Sequence, residues 1–196
     1  MKKQIYLPIF LFLLILGACT SEDVQLEKSI FIEDVNNPGL PIYSEWGYNT
    51  FGAYIDRKVF ISNDFDLPAK IIVNSDTLTL ILKGTLKSEM ATLKFTLIGY
   101  SPADYPDLVS FNNSTIDLTS DKCIITLTTY SKTLALDVFD GKIFFKRVQN
   151  LYVDKEQTES ILSGTFNFKT FIDGEPIAVS NGRFDLGIGY GNFYNY

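Results

Sequence analysis

The chain has 196 residues, of which 46% are hydrophobic and 14% aromatic, and its formal net charge is −6. This length and apolar content fit a single globular domain, and the negative charge argues against a nucleic-acid partner, because neutralising phosphates requires a basic face. The complete lack of histidine excludes Ser-His and Cys-His catalysis and any metal site that depends on imidazole ligands.

The N-terminus resembles a bacterial lipoprotein signal. Lys2 and Lys3 form a basic head, and the apolar run over residues 5–16 is shorter than the about 20 residues that a membrane span needs. The motif Leu16-Gly17-Ala18-Cys19 matches the lipobox of such signals. The resemblance implies cleavage before Cys19, a diacylglyceryl thioether on its sulfur and acylation of its new amine.

The lipobox divides the chain into three predicted parts. Residues 1–18 are expected to be a removed signal peptide, residues 19–40 a lipidated cysteine with a flexible stalk, and residues 41–196 the folded domain. The acyl chains on Cys19 make the membrane a partner. We expect anchoring in the cell outer membrane, because Thr20 rather than Asp follows the cysteine. The acidic run that comes next fits both a surface-export tag and a solvated linker, so the cell surface and the periplasm are both open.

The pattern of residues 41–196 predicts an all-β domain. In several segments Leu, Ile or Phe alternates with Thr, Asp or Lys, which is the period of two expected of strands with one wet face. An outer-membrane barrel is not expected, since its lipid-facing side would need a continuous apolar band. The clearest alternating segments are residues 77–82, 92–97, 125–128, 134–138 and 166–169.

Turn signals separate these segments at short intervals. Hairpin turns are predicted at Asp56-Arg57, Asn74-Ser75-Asp76, Asp140-Gly141 and Asp173-Gly174, since these residue types tolerate positive φ. Asn181-Gly182 fits a hairpin or a bulge, and the bulge is favoured. Together the signals predict a single antiparallel meander of about nine or ten short strands, which forms a barrel or a sandwich after the stalk.

Three motifs resemble those of a family of Gram-negative outer-membrane lipoproteins of unknown function. Residues 48–53 contain Asn-Thr-Phe-Gly-Ala, residues 162–168 contain Ser-Gly-Thr-Phe-Asn-Phe, and residues 180–185 end in Gly-Arg-Phe-Asp. These match the "NTFGA" strand that opens the domain of that family and the "SGTFxF" and "xGxFD" strands that close it. The resemblance implies an all-β fold and an outer-membrane address, but the motifs are structural and imply no reaction.

The residues of these motifs have structural interpretations. Asp185, beside Arg183, is expected to make a structural contact, either across strands or as a cap. The aromatic residues are expected to fill the core: Phe51, Phe166, Phe168 and Phe184. The glycines are expected at bulges or at close approaches of two strands: Gly52, Gly164 and Gly182.

Aromatic residues outside the core offer the candidate binding site. Trp46 and Tyr48 lie just before the first predicted strand, and Tyr190 and Tyr194 lie near the C-terminus among glycines. Exposed aromatic rings stack on sugars or anchor a protein partner, so a glycan or protein ligand is expected here. The alternative is that Trp46 plugs one end of a barrel and that the C-terminal residues pack or fray.

The acidic candidates have structural explanations. Asn63-Asp64-Phe65-Asp66 lacks the glycine and the distal glutamate of an EF-hand and fits a plain turn. Asp137 and Asp140 are too close in sequence to serve as a glycosidase pair across a sugar. Asp104 and Asp107 belong to a predicted loop.

Two further features complete the sequence interpretation. Ser101-Pro102-Ala103-Asp104 predicts one capped helical turn with proline at its first position. Cys123 lies in an apolar, strand-like run and is expected to be a buried, inert thiol. No cofactor and no metal ion are predicted.

These observations favour a non-catalytic domain that binds or scaffolds at the outer membrane. One alternative is a carrier that holds a small apolar ligand, as lipocalin-like barrels do, and it requires an open apolar interior. The other is a carboxylate-based glycan hydrolase, which requires two carboxylates about 5–10 Å apart in a cleft. A filled core without a cleft favours the first hypothesis.

Overall fold

The structure is a computed structural model, and it describes residues 29–62 and 67–196. The predicted signal peptide, Cys19, the acidic run after Thr20 and the Asn63-Asp64-Phe65-Asp66 segment lie outside the described residues. Within the part that the structure describes, no helix has the length and apolar character needed to cross a membrane.

Strands dominate the two described ranges, together with one 3₁₀ helix. The strands are β1 (Thr50–Ile55), β2 (Lys58–Ser62), β3 (Ala69–Asn74), β4 (Thr77–Leu86), β5 (Glu89–Ile98), β6 (Ser114–Asp117), β7 (Cys123–Thr129), β8 (Thr133–Val153), β9 (Glu156–Ile172), β10 (Glu175–Ile188) and β11 (Phe193–Asn195). The 3₁₀ helix (Tyr105–Phe111) lies between β5 and β6.

Eight strands close into an antiparallel barrel, in the order β1-β2-β4-β5-β7-β8-β9-β10, with β10 paired to β1. The other three strands add to this ring. β3 pairs with the first part of β4, where β2 does not reach, while β11 runs parallel to β3 and β6 pairs with β8. The all-β prediction is therefore confirmed, and the domain is a barrel rather than a sandwich.

The tight connections of the barrel gather at one end, which we call the hairpin end. Here β1 turns into β2, β4 into β5, β7 into β8, and β9 into β10. Two of these turns were predicted, and their residues have positive φ, as hairpins of this kind require: Asp56 and Arg57 at 47° and 63°, and Asp173 and Gly174 at 54° and 84°. The predicted turn at Asn74-Ser75-Asp76 joins β3 to β4 at the opposite end.

The prediction of a hairpin turn at Asp140-Gly141 was wrong. β8 continues through both residues, and the irregularity is a register shift between Val138 and Asp140. Gly141 is required by packing, because a Cβ there would lie 2.3 Å from the Cβ of Phe168. As a result β8 has 21 residues and is much longer than the predicted short strands.

The Asn181-Gly182 bulge is confirmed, since β10 is continuous and its register with β9 shifts between Val179 and Gly182.

The helical turn lies later in the chain than predicted. The 3₁₀ helix begins after Asp104, whose carboxylate caps it, while the side chain of Asp107 accepts from the Asp104 backbone N–H at 3.3 Å. The two carboxylates form a reciprocal capping box, so the helix starts after rather than at the predicted segment.

Residues 29–40, the described part of the expected stalk, pack on the outside of the barrel instead of standing free. The N–H of Ile30 donates to the carbonyl of Tyr48 at 2.8 Å, and Leu40 is fully buried. Arg183, expected beside Asp185, forms an ion pair with Asp34. The folded domain therefore includes residues that precede the predicted boundary at residue 41.

The barrel interior is filled by aromatic and aliphatic side chains. All four phenylalanines of the motifs are buried as predicted, and they belong to one continuous core. The 3₁₀ helix adds Tyr105, Leu108 and Phe111 to this core, and the rings of Phe111 and Phe145 lie 5.0 Å apart between centroids. The helix thus closes the end of the barrel opposite the hairpins, which we call the helix end.

The three motif glycines lie where predicted. The β1–β10 register shifts between Gly52 and Tyr54, which marks a bulge. A Cβ at Gly164 would lie 2.2 Å from the carbonyl oxygen of Phe144, and one at Gly182 would lie 2.4 Å from that of Phe166. These close approaches explain why side chains are excluded at both positions.

Candidate functional site

An apolar pocket of about 250 Å³ opens at the hairpin end of the barrel, and we call it the mouth. All eight barrel strands contribute to its lining, so it lies on the barrel axis. Lys58 is the contribution of β2, and the apolar lining comes from the other seven strands: Ile55, Leu86, Met90, Ala91, Leu127, Leu134, Ile172 and Ile177.

The alternation of the strands explains why the mouth is open. On β5 the inward positions are Ala91, Leu93 and Phe95, so the side chains grow larger with distance from the hairpin end. Ala91 leaves space that a larger residue would fill, whereas Phe95 packs against Phe166 at 5.1 Å between ring centroids. The mouth is therefore a cup with a largely aliphatic lining, and a ligand would sit in the last layer of the barrel.

The rim of the mouth carries charges of both signs. Lys58 pairs with Asp56 at 3.2 Å, and Lys132 pairs with Asp173 at 2.7 Å. Exposed pairs of this kind contribute about 0–1 kcal/mol each, so they add little to stability. A polar rim around an apolar floor is the usual arrangement of a small-molecule site.

The 3₁₀ helix covers the helix end of the barrel. The hydroxyl of Ser160 donates to the carbonyl of Tyr105 at 2.8 Å, which fastens the 3₁₀ helix to β9. The Tyr105 hydroxyl donates to the carbonyl of Gln157 at 3.2 Å. Burial, together with the nearby Tyr190 hydroxyl, raises the pKa of Tyr105 to about 12. A ligand would therefore enter the barrel from the hairpin end.

The four predicted aromatic site residues differ in their surroundings. Trp46, 74% exposed, and the half-buried Tyr48 lie in the loop before β1, while Tyr190 lies between β10 and β11 and packs edge-on against Tyr105. Tyr194 on β11 stacks against Tyr196 with a centroid distance of 6.4 Å. Within the described ranges, the lining of the mouth includes none of the four.

The structure differs from the alternative expectation for Trp46 but agrees with packing of the C-terminal residues. Trp46 does not plug the barrel, because its side chain stands in solvent on the outside. The C-terminal residues do pack, since β11 pairs with β3 and the N–H of Tyr196 donates to the carbonyl of Val73 at 3.0 Å.

The loop that carries Trp46 is held by a buried carboxylate, that of Asp185. This side chain is 1% exposed and accepts hydrogen bonds from two hydroxyls and three backbone N–H groups. The donors are the hydroxyls of Ser44 and Ser163 (2.8 Å) and the N–H groups of Trp46 (3.2 Å), Gly47 (2.9 Å) and Tyr48 (3.1 Å). Asp185 therefore caps this loop, which is one of the two roles expected of it, the other being a contact across strands.

A cleft of about 290 Å³ lies beside Trp46, and we call it the Trp46 cleft. It is lined by Tyr43, Ser44, Glu45, Trp46, Arg147 and Gln149. Glu45 accepts from the Tyr43 hydroxyl at 3.0 Å and pairs with Arg147 at 3.3 Å and Lys146 at 3.4 Å. Partial burial acts to raise the pKa of Glu45, but these three hydrogen-bond donors outweigh it and lower the pKa.

Sequence reasoning identified Trp46 but missed Arg147 and Gln149. The two residues are two apart on β8, with the buried Val148 between them, so their side chains share the outer face. That alternation was available in the sequence. Their position beside Trp46 was not, because it depends on the register of β8 and on the path of the loop.

The remaining polar candidates have structural roles. Asp140 pairs with Lys169 at 2.8 Å on the outer face of the barrel. Cys123 is half-buried rather than buried, its thiol donates to the carbonyl of Asp117 at 3.3 Å, and burial followed by the nearby Asp117 raises its pKa. Across residues 29–62 and 67–196, no three acidic or cysteine side chains form a group that could hold a metal ion.

Comparison with protein-family models, with curated proteins and with solved structures gave no match to this chain. Function is therefore inferred from the mouth, the Trp46 cleft and the motifs of the sequence.

Proposed function

We propose that this protein is a lipid-anchored, non-catalytic binding domain of the bacterial outer membrane that takes a small apolar group into the mouth. The observation that carries the proposal is the apolar cup at the hairpin end, to which every barrel strand contributes. The proposal keeps the small apolar ligand of the lipocalin-like carrier but not its open interior. The filled core limits the ligand to the outermost layer of the barrel.

The size of the mouth limits the ligand and its affinity. A volume of about 250 Å³ is slightly below the usual range of small-molecule sites, about 300–1,000 Å³, so the ligand is a short aliphatic chain or one ring. Burying about six methylene groups would stabilise a complex by roughly 5 kcal/mol before association costs. Without those costs this gross value corresponds to about 0.2 mM, so we expect a dissociation constant of about 1 mM or weaker for a minimal ligand.

Photo-crosslinking with matched variants tests this site. Cells that express the protein are incubated with an alkyl probe that carries a diazirine, irradiated, and the labelled peptides are mapped by mass spectrometry. We expect labelling within the segments 86–91 and 172–177, which contain the lining residues Leu86, Met90, Ala91, Ile172 and Ile177. Ala91→Phe fills the mouth and should abolish it, whereas Thr92→Phe, on the opposite face of β5, should not. Labelling that both variants leave unchanged would refute the proposal.

The membrane anchor is a separate part of the proposal. It is supported by the lipobox that ends at Cys19. The described chain begins near Tyr48 at the helix end, since Ile30 hydrogen-bonds there. Metabolic labelling with palmitate should mark the wild-type protein but not Cys19→Ser. Labelling of Cys19→Ser to the wild-type level would contradict the anchor.

Protease shaving of intact cells decides the side of the outer membrane. With a periplasmic lipoprotein as control, loss of the full-length protein while the control survives places the domain on the cell surface. Protection of both proteins places it in the periplasm.

A further inference from the structure

We propose that the Trp46 cleft is a carbohydrate-binding site that receives one pyranose ring of a glycan. It lies on the outside of the barrel and is lined by one exposed indole ring and by hydrogen-bonding groups of Glu45, Arg147 and Gln149. The site is separate from the mouth and does not depend on what the mouth binds.

The indole ring stands on a rigid loop. Asp185 holds three successive backbone N–H groups of this loop, at Trp46, Gly47 and Tyr48. The side chain of Asn49, the next residue, accepts from the N–H of Gly187 at 2.8 Å. Because the backbone is fixed on both sides of the ring, a ligand that stacks on Trp46 pays little ordering entropy.

The polar wall of the cleft has more donor and acceptor positions than its own hydrogen bonds within the described part of the chain use. Arg147 donates from Nε to Gln149 at 2.9 Å and from one terminal nitrogen to Glu45 at 3.3 Å. A guanidinium has five N–H donors, so three are left once the bonds within the described part of the chain are counted. Glu45 has about four acceptor positions, and Tyr43, Lys146 and Arg147 take three.

This combination fits a sugar better than a purely apolar or a purely charged ligand. A pyranose ring presents a C–H face that packs on an aromatic ring, while its hydroxyls both donate and accept. Arg147 and Gln149 are planar donor groups on the same strand face, and they are held together by their own hydrogen bond. The cleft of about 290 Å³ has room for one ring, since it lies at the lower limit of ligand sites.

The affinity of a single ring should be low. A few hydrogen bonds at about 1 kcal/mol each and one stacked aromatic contact give a gross stabilisation of only a few kcal/mol. We therefore expect dissociation constants of about 1–10 mM for monosaccharides, with tighter binding where several copies on one cell meet a polymeric glycan.

Trp46 is the only tryptophan of the chain, so its emission reports on this cleft alone. The full-length protein in a non-fluorescent detergent is titrated with the methyl glycosides of glucose, galactose and mannose and with N-acetylglucosamine. Sorbitol, an acyclic polyol without a ring face, is the solvent control. We expect a saturable blue shift or intensity change with at least one ring sugar and only a linear, small change with sorbitol.

Variants distinguish a binding site from a solvent effect. Arg147→Ala should weaken the saturable response at least tenfold, and Lys142→Ala, an exposed position on the same strand, should leave it unchanged. Both variants should keep the wild-type melting temperature. If no ring sugar gives a saturable response beyond that of sorbitol, or if the response is the same in Arg147→Ala, the proposal is wrong.

Discussion

Replacing Asp185 by alanine should be among the most destabilising changes in this domain. The buried carboxylate accepts five hydrogen bonds, and three of them come from backbone N–H groups of one loop. Hydrogen bonds to charged groups contribute about 1.5–3 kcal/mol each, and water can replace some of them in the half-exposed loop. We therefore expect Asp185→Ala to lower the free energy of unfolding by about 3–5 kcal/mol.

Asp185→Asn separates the shape of the side chain from its acceptor capacity. Its amide nitrogen would best replace the oxygen that faces Ser163 and Gly47, because that oxygen accepts from one backbone N–H, whereas the other oxygen accepts from two. The hydroxyl of Ser163 can turn and accept from the amide nitrogen, but the N–H of Gly47 cannot. One backbone bond is then lost, so we expect a smaller cost of about 1.5–2.5 kcal/mol.

Urea denaturation followed by far-ultraviolet circular dichroism measures both changes. Asp137→Ala is the control, because this exposed aspartate lies on the surface of β8 and should change stability by less than about 0.5 kcal/mol. A cost below about 1 kcal/mol for Asp185→Ala, with an unchanged denaturant slope, would refute the view that this carboxylate organises the loop.

Three further predictions concern packing and pH. Gly141→Ala should destabilise the domain by about 2–3 kcal/mol in the same assay, because its Cβ would meet Phe168. Phe111→Ala should cost about 3–5 kcal/mol and increase amide hydrogen exchange at the helix end, which that ring closes. Hydrogen bonds from Asn37, Arg183 and Asn36 hold the pKa of Asp34 at about 2, below the roughly 3.9 of an unfolded chain. Its stabilisation is therefore complete above about pH 4 and disappears as the pH falls towards 2, so unfolding of Asp34→Asn should depend less on pH in that interval.

The strands and tight turns of this fold could be predicted from local sequence, because both depend on nearest neighbours. Alternation fixes which side chains share a face, and Asp56-Arg57 and Asp173-Gly174 adopt the positive φ angles that such pairs favour. Closure could not be predicted, since it depends on pairings between strands that do not follow one another in sequence, such as β1 with β10 and β2 with β4. The error at Asp140-Gly141 has the same origin, because Phe168 on another strand explains Gly141.

The candidate sites could be predicted only in part. The exposed Trp46 was identified by its residue type and position, whereas the wall formed by Arg147 and Gln149 results from long-range packing. Prediction of the mouth would have required two facts that the alternation of residues does not provide. One is that Ala91 faces the barrel axis at the hairpin end, and the other is that the 3₁₀ helix closes the opposite end.

The most direct test of ligand binding in the mouth is a methyl NMR titration of the protein with octanoate. Isoleucine and leucine methyl groups of the mouth, such as those of Ile172 and Leu134, are followed together with those of Ile143 and Leu186 in the closed core. Ligand binding in the mouth predicts saturable shifts at the mouth methyls, with a dissociation constant of about 1 mM or weaker, that disappear in Ala91→Phe and persist in Thr92→Phe. Shifts of equal size in the core and the mouth, or none at the mouth, would contradict it.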